Sequence, residues 1–446
     1  MDSIKQTASG GHELRKYPNY EDSGSEWVGK VPRGWKLQRL KYVAMMNRQE
    51  LPENTPRDYS FKYFDIGSIE SGGRKSAPSE YTFENAPSRA RRIVHAQDTI
   101  LATVRTYLKA VSYFKNPDPN TVVSTGFAVL SPIKEKIDPK YLYHQITAEI
   151  LIQDVVANSS GVSYPAINPS QLGCLDIILP PLVTQKKIAA YLDEKTATID
   201  EAIEKKRRQV ELLKEKCAAM INRAVTVGLD SKIEQVDSEI PWPEQIPKGW
   251  RIYRLKFFCD FQSGDGFPEE MQGEKRGDLP FFKVSDINGE GKWAEEPSNF
   301  VSKLDALKMR WHPIPSGSIM MAKIGAALAK NHRKVTTTTS YIDNNTMAVS
   351  GNNKLVTGDY LYWLWKNIDL KDFQNISSVP SVNMGQVRGL RYPLPPKAEQ
   401  QNITMYLDEK TAIIDQAVQK INRSIELLAE YKSSLITNIV TGKVAV

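Results

Sequence analysis

The sequence predicts an α+β protein made of two tandem modules, each followed by a long helix, with the two helices pairing as an antiparallel coiled coil. Three observations lead to this fold class. The chain repeats itself at a fixed offset, and each repeat ends in a stretch with the apolar period of a coiled coil. Short runs of Val, Ile, Tyr, Phe and Thr, separated by Gly, Pro and Asn, indicate strands within each repeat.

The repeat relates segments at both ends of the two halves. Residues 31–44 (VPRGWKLQRLKYVA) return at 246–259 (IPKGWRIYRLKFFC), which from 31 to 246 is an offset of 215. The same offset superposes an identical YLDEKTA at 191–197 and 406–412. Several separate matches in one register indicate a tandem duplication. The middle of each half diverges, which indicates one scaffold carrying two different surfaces.

The repeat and the position of its helices set the predicted domain boundaries. Each long helix follows a Pro-Pro pair, a boundary signal, and a short helix is expected shortly before it, near 139–152 or 359–368. The predicted segments are a flexible N-terminal lead-in at 1–21, a first module at 22–181, a long helix and linker at 182–236, a second module at 237–396 and a second long helix at 397–446.

The end of each half has the pattern of a coiled coil. Steps of three and four residues from Ala189 to Ala224 meet an apolar residue at nine of 11 positions, and steps from Thr404 to Ile439 at eight of 11. A long amphipathic helix lying on a globular core is the alternative, but the stripe is narrow and occurs twice. About 40 helical residues at ~1.5 Å each give a spacer of roughly 60 Å. Because modules and helices alternate along the chain, an antiparallel pair places one module at each end.

The composition is that of an ordinary globular protein with a mildly basic charge. Hydrophobic residues make up 41% of the chain and charged residues 25%, and the net charge of +7 is compatible with a polyanionic partner. The apolar runs are shorter than the roughly 18 residues of a membrane helix, and the N-terminus lacks the apolar segment of a signal peptide. Cys174, Cys217 and Cys259 lie far apart, so we expect a reducing cytoplasm and neither a disulfide framework nor a zinc site.

Three features resemble the specificity subunit of type I restriction-modification enzymes. One is Pro-x-Gly-Trp followed by a strand that ends in Leu-Lys, at Pro32–Lys41 and Pro247–Lys256. Another is the approach to the long helix, ILPPLVTQKKIAAYLDEKTATID at 178–200 and PLPPKAEQQNITMYLDEKTAIID at 393–415. The last is the alternation of variable module and helix. The resemblance covers the chain from about residue 22.

The resemblance implies a function and a set of partners. Each module would be a target recognition domain that binds one half of a bipartite site in double-stranded DNA, with the helices as spacer and docking surface. Modification subunits, expected to be two, would bind S-adenosylmethionine and methylate adenine. Restriction subunits would supply the ATP-driven motor and the Mg-dependent nuclease. No cofactor is expected on this chain itself.

We find no motif for catalysis in the sequence. Gly-Lys at 442–443 lacks the Ser or Thr of a phosphate-binding loop, and the Asn-Pro-Pro-Tyr of an amino-methyltransferase is missing. Asp193-Glu194-Lys195 superficially resembles a nuclease cluster, but a solvated helix face explains it better. The five histidines show no metal-ligand spacing. We therefore expect no catalytic residue and no metal site.

Basic clusters in the centre of each module are the candidate DNA-binding residues. Within 86–115 six Arg and Lys stand against Asp98 alone, and within 303–334 seven stand against Asp305 alone. Such residues neutralise phosphates, and Arg can also bind guanine bidentately. Solvated loop charge is the alternative. With nearby polar side chains, the predicted DNA-binding residues are Arg89, Arg91, Arg92, Arg105, Lys109, Ser124, Thr125, Lys323, Lys330, Asn331, Arg333, Lys334, Asn344 and Asn345.

Two other interpretations remain open from the sequence. The polar loops at 158–171 and 375–386 suit an approach to phosphate, although a connector that orients the long helix explains them slightly better. The function alternative is a stand-alone DNA-binding scaffold whose coiled coil recruits something else. A self-sufficient nuclease or methyltransferase is disfavoured by the missing motifs.

Overall fold

The computed structural model describes residues 15–25, 27–69, 73, 75–161, 164–289, 291–352, 354–375 and 379–446. These residues form two compact units. The first contains the described residues up to Arg207 together with Asn422–Val446, and the second contains Arg208–Ile421. Each unit therefore holds one module and parts of both long helices. Residues 1–14 of the predicted lead-in lie outside the described residues, whereas Tyr17 in that segment packs edge-on against Trp35 at 5.3 Å.

The first unit contains short helices and many short strands. Its strands are β1 Tyr20–Asp22, β2 Lys30–Pro32, β3 Lys36–Arg39, β4 Ala44–Met46, β5 Ser60–Phe64, β6 Ser79–Thr82, β7 Ala90–Ile93, β8 Asp98–Ala102, β9 Val111–Phe114, β10 Thr121–Ser124, β11 Phe127–Pro132 and β12 Asp176–Leu179. Its helices are α1 Pro139–Thr147, α2 Glu149–Ala157, α3 Pro169–Gly173 and the first part of α4 Leu182–Thr226.

Two four-stranded sheets form the centre of the first module. One has the order β6-β5-β10-β7 and the other β4-β11-β8-β9. Their apolar faces share a core that includes Phe64, Ile100, Val123 and Phe127. A larger core lies where α1, α2 and β12 pack against the long helices. The central strands β8 and β10 are buried at every position, and β11 at every position but its last, so these strands are covered on both faces.

The second unit repeats this plan with local differences. Its strands are β13 Gln235–Asp237, β14 Gln245–Pro247, β15 Arg251–Arg254, β16 Cys259–Ser263, β17 Leu279–Phe282, β18 Asn299–Val301, β19 Ile319–Ala322, β20 Lys334–Val335, β21 Tyr341–Ile342, β22 Thr346–Gly351, β23 Gln374–Asn375, β24 Ser381–Val382 and β25 Arg391–Leu394. Its helices are α5 Val284–Ile287, α6 Lys303–Met309, α7 Gly358–Asn367, α8 Met384–Gly389 and the first part of α9 Lys397–Val440.

The sheet orders confirm the duplication predicted from the sequence. The order β16-β22-β19-β20 matches β4-β11-β8-β9, and β18-β17-β21 matches β6-β5-β10. In both modules the pair β5–β10 or β17–β21 is parallel while its neighbours are antiparallel. The structure thus has one scaffold in two copies, as the diverged centres of the repeat suggest.

The Pro-x-Gly-Trp motif closes each module onto the start of its helix. The strand after the motif pairs antiparallel with the strand that ends at the Pro-Pro pair, β3 with β12 and β15 with β25. The motif requires glycine because Gly34 has φ +89° and Gly249 has φ +100°, a region that other residues rarely adopt. The following Trp35 and Trp250 are buried. The beginning and the end of each module therefore meet.

The predicted short helices are present, but the first one is interrupted. The sequence predicts one helix near 139–152, whereas α1 ends at Thr147 and α2 begins at Glu149. Ala148 between them is extended and fully buried. The amide of Glu149 donates to Thr437 Oγ1 at 3.0 Å, so a contact with α9 supports the break. In the second module α7 occupies the expected place.

The long helices pair antiparallel within each unit. In the first unit Ile199 and Ile203, early in α4, share a core with Leu435 and Ile439, late in α9. In the second unit the late part of α4 shares a core with the early part of α9. No position of either predicted apolar stripe is exposed. This confirms the antiparallel pairing and the register of the stripes.

A charged pair lies at this helix seam in the first unit. Lys432 Nζ lies 2.7 Å from both carboxylate oxygens of Asp200, and the Lys432 side chain is only 16% exposed. A lysine at a seam position costs stability but can fix register. Among the described residues, no helix has both the length and the apolar character needed to cross a membrane.

Candidate nucleic-acid interface

In the first module a tight turn between β10 and β11 brings the basic segments together. The amide of Thr125 donates to the carbonyl of Arg89 at 2.8 Å. The amide of Thr103 donates to the carbonyl of Gly126 at 2.8 Å. The Arg89 segment and the segment that leads to Arg105 are therefore held by the same turn. Arg89 is exposed, and Thr125 is half-buried.

Arg105 and Lys109 flank a single 3₁₀ turn, Thr106–Leu108, and both have φ 52°. Left-handed backbone is uncommon for such residues and is often found at functional sites. The Arg105 guanidinium lies over the ring of Tyr164 at 4.9 Å. Both residues are exposed, but Lys109 forms a 2.6 Å ion pair with Glu149. The structure therefore leaves Arg105 as the more available cation.

Two other predicted residues of this module are engaged internally. Arg92 lies on the edge strand β7, where it donates to the carbonyl of Phe127 and lies 3.3 Å from Glu50 Oε1. Burial lowers the pKa of Arg92, against the opposing effect of Glu50. Ser124 is buried in β10. The contacts of Arg92, and the 3.2 Å hydrogen bond that Ser124 Oγ accepts from the amide of Gly126, give both residues a structural role within the module.

Arg91 is neither as exposed as Arg105 nor as fully engaged inside the module as Arg92. Its guanidinium lies over the ring of Phe83 at 4.6 Å, and its Nη1 donates to the carbonyl of Ala90 at 2.9 Å. The side chain is half-buried. One face of the guanidinium is thus covered by the ring.

The corresponding turn of the second module presents amides instead. Asn344 and Asn345 join β21 to β22 and are both exposed. The amide of Lys323 donates to the carbonyl of Asn345 at 2.9 Å. Burial lowers the pKa of the half-buried Lys323, while the charges of Asp343 and Asp265 oppose this shift. This turn therefore groups one lysine and two amides with two carboxylates.

The remaining predicted residues of the second module are divided between interior and surface. Arg333 is fully buried and donates to the carbonyl of Ile368 at 3.1 Å and to Asn331 Oδ1 at 2.6 Å. Burial lowers the pKa of Arg333 to about 10. Lys334 is also buried, in β20, whereas Lys330 is exposed. Arg333 and Asn331 therefore support the loop from inside.

Basic charge still accumulates around this loop. The pKa of His332 is lowered, first by burial and then by the positive charges of nearby residues. Those residues are Lys366, Lys330, Lys334 and Arg333. The loop therefore lies in a positive field, although its individual cations differ in exposure.

The DNA-binding role of the predicted residues stays a prediction. The side chains that the structure leaves at the surface are Arg89, Arg105, Lys109, Lys330, Asn344 and Asn345. Arg92, Ser124, Arg333 and Lys334 are mainly engaged within the protein. Within the described ranges, no three His, Cys, Asp or Glu residues are grouped as a metal site would require.

Sequence reasoning missed the aromatic side chains beside Arg105. Tyr107 is 53% exposed and Tyr164 is 63% exposed. Tyr164 belongs to the 158–171 loop, which the sequence favours slightly as a mere connector; residues 162–163 of that loop lie outside the described residues. Tyrosines near an arginine in a polar loop were the available signal. Exposed aromatic rings with a cation are suited to contact nucleic acid bases.

Comparisons with known proteins agree with this architecture. The family model of the type I restriction modification DNA specificity domain matches twice, at residues 32–212 and 247–427. The type I restriction enzyme MjaIX specificity subunit of Methanocaldococcus jannaschii is 22% identical over 94% of this chain and 95% of its own length. The StySPI specificity subunit of Salmonella potsdam is 19% identical over 93% and 90%.

A solved structure shares the fold over nearly the whole chain. It comes from a study of complex assembly and conformational transition of the type I R-M system, and it aligns with a TM-score of 0.67 at 21% identity. The alignment covers 92% of this chain and 98% of that one. The two family matches confirm the resemblance expected from the sequence, and with it the expectation of a DNA-recognition chain that is not itself an enzyme. The chain belongs to the type I restriction-modification DNA specificity family.

Proposed function

We propose that this chain binds a bipartite, asymmetric DNA target, the first module one half and the second module the other. The observation that carries this proposal is a difference at one place in a shared scaffold. The turn at Thr125–Gly126 and the turn at Asn344–Asn345 follow corresponding strands but present different side chains. Modules that share a fold but differ at an exposed polar turn suit two different DNA sequences.

Phosphate contacts would supply much of the affinity. Arg89 is an exposed cation beside the first turn and Lys330 is an exposed cation of the second module, and each can neutralise a phosphate. The base edges would then be contacted by the turns themselves. Side chains that are engaged inside the module, such as Arg333, would act by holding the loops in place.

The same proposal includes partner subunits that methylate and cleave. Methyltransferase subunits would dock on features that occur in both copies, and restriction subunits would join that complex. Tyr42 and its counterpart Phe257 are exposed by 48% and 58%, beside Lys41 and Lys256. Exposed aromatic residues at equivalent positions fit two copies of one partner. S-adenosylmethionine, ATP and Mg would be bound by those partners, and the complex would act in the cytoplasm.

Exchange of one module centre tests the proposal. Residues 60–170 are replaced by those of a specificity subunit with a different target, and the hybrid is produced with its partner subunits. Sequencing of methylated DNA should show one new half-site and one unchanged half-site. A change in both halves, or methylation of an undivided site, would contradict the proposal. Failure of methyltransferase subunits to co-purify with the wild-type chain would instead favour a stand-alone DNA-binding scaffold.

A further inference from the structure

The backbone defines which positions of the two recognition surfaces correspond. Val104 forms a bridge with Ala166, and Ile324 forms the same kind of antiparallel bridge with Ser381. In each module the next residue caps a 3₁₀ turn, and that residue is Arg105 in the first module. The second module has glycine at this position.

The turn between the central strands gives a second correspondence. Thr103 donates its amide to Gly126, and Lys323 donates its amide to Asn345, in each case just after the last residue of β8 or β19. Gly126 therefore corresponds to Asn345. Counting from these bonds, Thr125 corresponds to Asn344.

The large polar side chain stands at a different position in each module, at the strand end in the first and at the turn in the second. In the first module Arg105 stands at the strand end, and a side chain at Gly126 would approach within 2.3 Å of Ile66. In the second module Gly325 stands at the strand end with open space around it, and Asn345 stands at the turn. Each module thus presents one polar group from one of two neighbouring positions.

Arg105 is held in place but has its donors free. Its ring contact with Tyr164 fixes one face of the guanidinium. Within the described part of the chain, its N–H groups have no hydrogen-bond or ion-pair partner, unlike those of Arg92. A planar fork of free donors fits the O6 and N7 atoms of guanine in the major groove.

The second module presents a different set of groups. Among the residues that the structure describes, the side-chain amides of Asn344 and Asn345 have no hydrogen-bond partner. Lys323 beside them lies near Asp343 and Asp265, whose two carboxylates outweigh its single positive charge. A surface without net positive charge is a weak phosphate site, whereas an asparagine amide pairs with N6 and N7 of adenine.

We propose that the two modules recognise chemically different bases at corresponding positions: Arg105 binds a guanine in the first half-site, and the Asn344–Asn345 turn binds an adenine in the second. This inference rests on the proposed function. The asymmetry of the target would follow from two differences between the modules. Arg105 at the strand end corresponds to Gly325, and Gly126 at the turn corresponds to Asn345.

The test uses the complete chain in complex with its methyltransferase subunits and a DNA library randomised around the wild-type target. The variants are R105A, R105K, the double variant N344A/N345A and the control R57A, whose exposed side chain pairs with Glu84. We expect R105A and R105K to relax one guanine of the first half-site by about 5- to 150-fold in relative methylation. N344A/N345A should relax one adenine of the second half-site only.

R105K separates base recognition from phosphate binding, because it keeps the charge and loses the fork. Retention of full specificity by R105K, or a uniform loss over all sequences in R105A with a weaker salt dependence, would overturn the assignment of Arg105. A first half-site without guanine, or a second without adenine, would overturn it as well. If the wild-type complex methylates no bipartite site, the proposed function itself fails, so the two failures are distinguishable. Thermal unfolding of each variant verifies its fold.

Discussion

Gln185 Oε1 accepts a hydrogen bond from the backbone amide of Asp138 at 2.8 Å, and Gln400 repeats this contact with Thr357 at 2.9 Å. Both glutamines are fully buried. They lie near the start of the long helices and reach the residues that cap the short helix of each module. The module and its helix are therefore joined by one buried side chain at equivalent positions.

The side-chain Nε2 of each glutamine donates to backbone carbonyls at the same junction. Gln185 Nε2 donates to the carbonyls of Pro180 at 2.8 Å and Lys136 at 3.2 Å. Gln400 Nε2 donates to Pro395 at 2.9 Å. The Gln that follows the Pro-Pro pair in both copies thus satisfies a backbone amide before the short helix and the first proline's carbonyl before the long helix.

Gln400→Ala should lower the free energy of unfolding by about 3 kcal/mol, because the backbone groups of Thr357, Leu355 and Pro395 lose their hydrogen bonds to this side chain. Denaturant unfolding of the purified chain measures this loss. Gln401→Ala is the matched control, since Gln401 is exposed on the same helix. An equal, small effect of both substitutions would show that the buried contacts contribute little.

The Lys432–Asp200 pair should fix the register of the two long helices more than it stabilises the fold. Asp200 is half exposed, so we expect a coupling of about 1 kcal/mol or less in a double-mutant cycle with Asp200→Asn and Lys432→Met. Lys432→Met alone should keep or raise stability, because it extends the apolar seam. A large loss of stability in Lys432→Met would contradict this view of the seam.

Acid should destabilise the first unit through His144. This side chain is buried, and its Nε2 lies 2.9 Å from Asp193 Oδ1. Burial lowers the pKa of His144, although Asp193 opposes the shift. Because the folded pKa is below the unfolded value of about 6.5, the stabilisation is complete above that pH. It falls as the pH drops from there towards the folded pKa.

His144→Gln should remove this component of the pH dependence. Stability is compared by thermal unfolding between about pH 7.5 and pH 5, a window around the ordinary histidine pKa. In the second module Trp363 Nε1 occupies the equivalent place, at 3.0 Å from Asp408, and does not titrate. His144→Trp is therefore a second variant expected to lose the pH dependence. Unchanged pH dependence in both variants would contradict the assignment to His144.

Loss of the Arg92 side chain should affect stability, whereas loss of the Arg89 side chain should affect DNA binding. Arg92→Ala should lower stability by about 1–3 kcal/mol, because the Phe127 carbonyl loses its charged donor. Arg89→Ala should leave the melting temperature unchanged and weaken DNA binding. The slope of log affinity against log salt should become shallower by about 0.9 for one lost phosphate contact. Equal effects of the two substitutions on both measurements would contradict this division.

The paired substitution Tyr42→Ala and Phe257→Ala should weaken binding of the methyltransferase subunits more than either single substitution. The physical reason is that each ring would be the exposed apolar anchor of one of two equivalent surfaces. Analytical ultracentrifugation of mixtures gives the stoichiometry. The single variants should bind one subunit with unchanged affinity. Tyr59→Ala, at an exposed tyrosine without a repeat counterpart, is the control.

The sequence by itself determined the duplicated α+β architecture and the antiparallel helix pair. Both depend on periodic or repeated patterns, and a repeated pattern forces the same burial in both copies. The apolar stripe from Ala189 to Ala224 predicted helix positions that are buried or half-buried, because helix geometry fixes that periodicity. The Gln after the Pro-Pro pair was visible in the sequence as part of a motif, but its buried hydrogen bonds were not.

Only the tertiary structure decided which cations reach the surface. Arg105 and Arg333 belong to equally basic stretches, yet one is exposed over Tyr164 and the other is buried against the Ile368 carbonyl. Local composition cannot distinguish them, because Tyr164 and Ile368, the contacts that set their different positions, lie tens of residues away in the chain. The cost of burying a guanidinium is offset by donated hydrogen bonds, and these exist only once the fold has brought donor and carbonyl together.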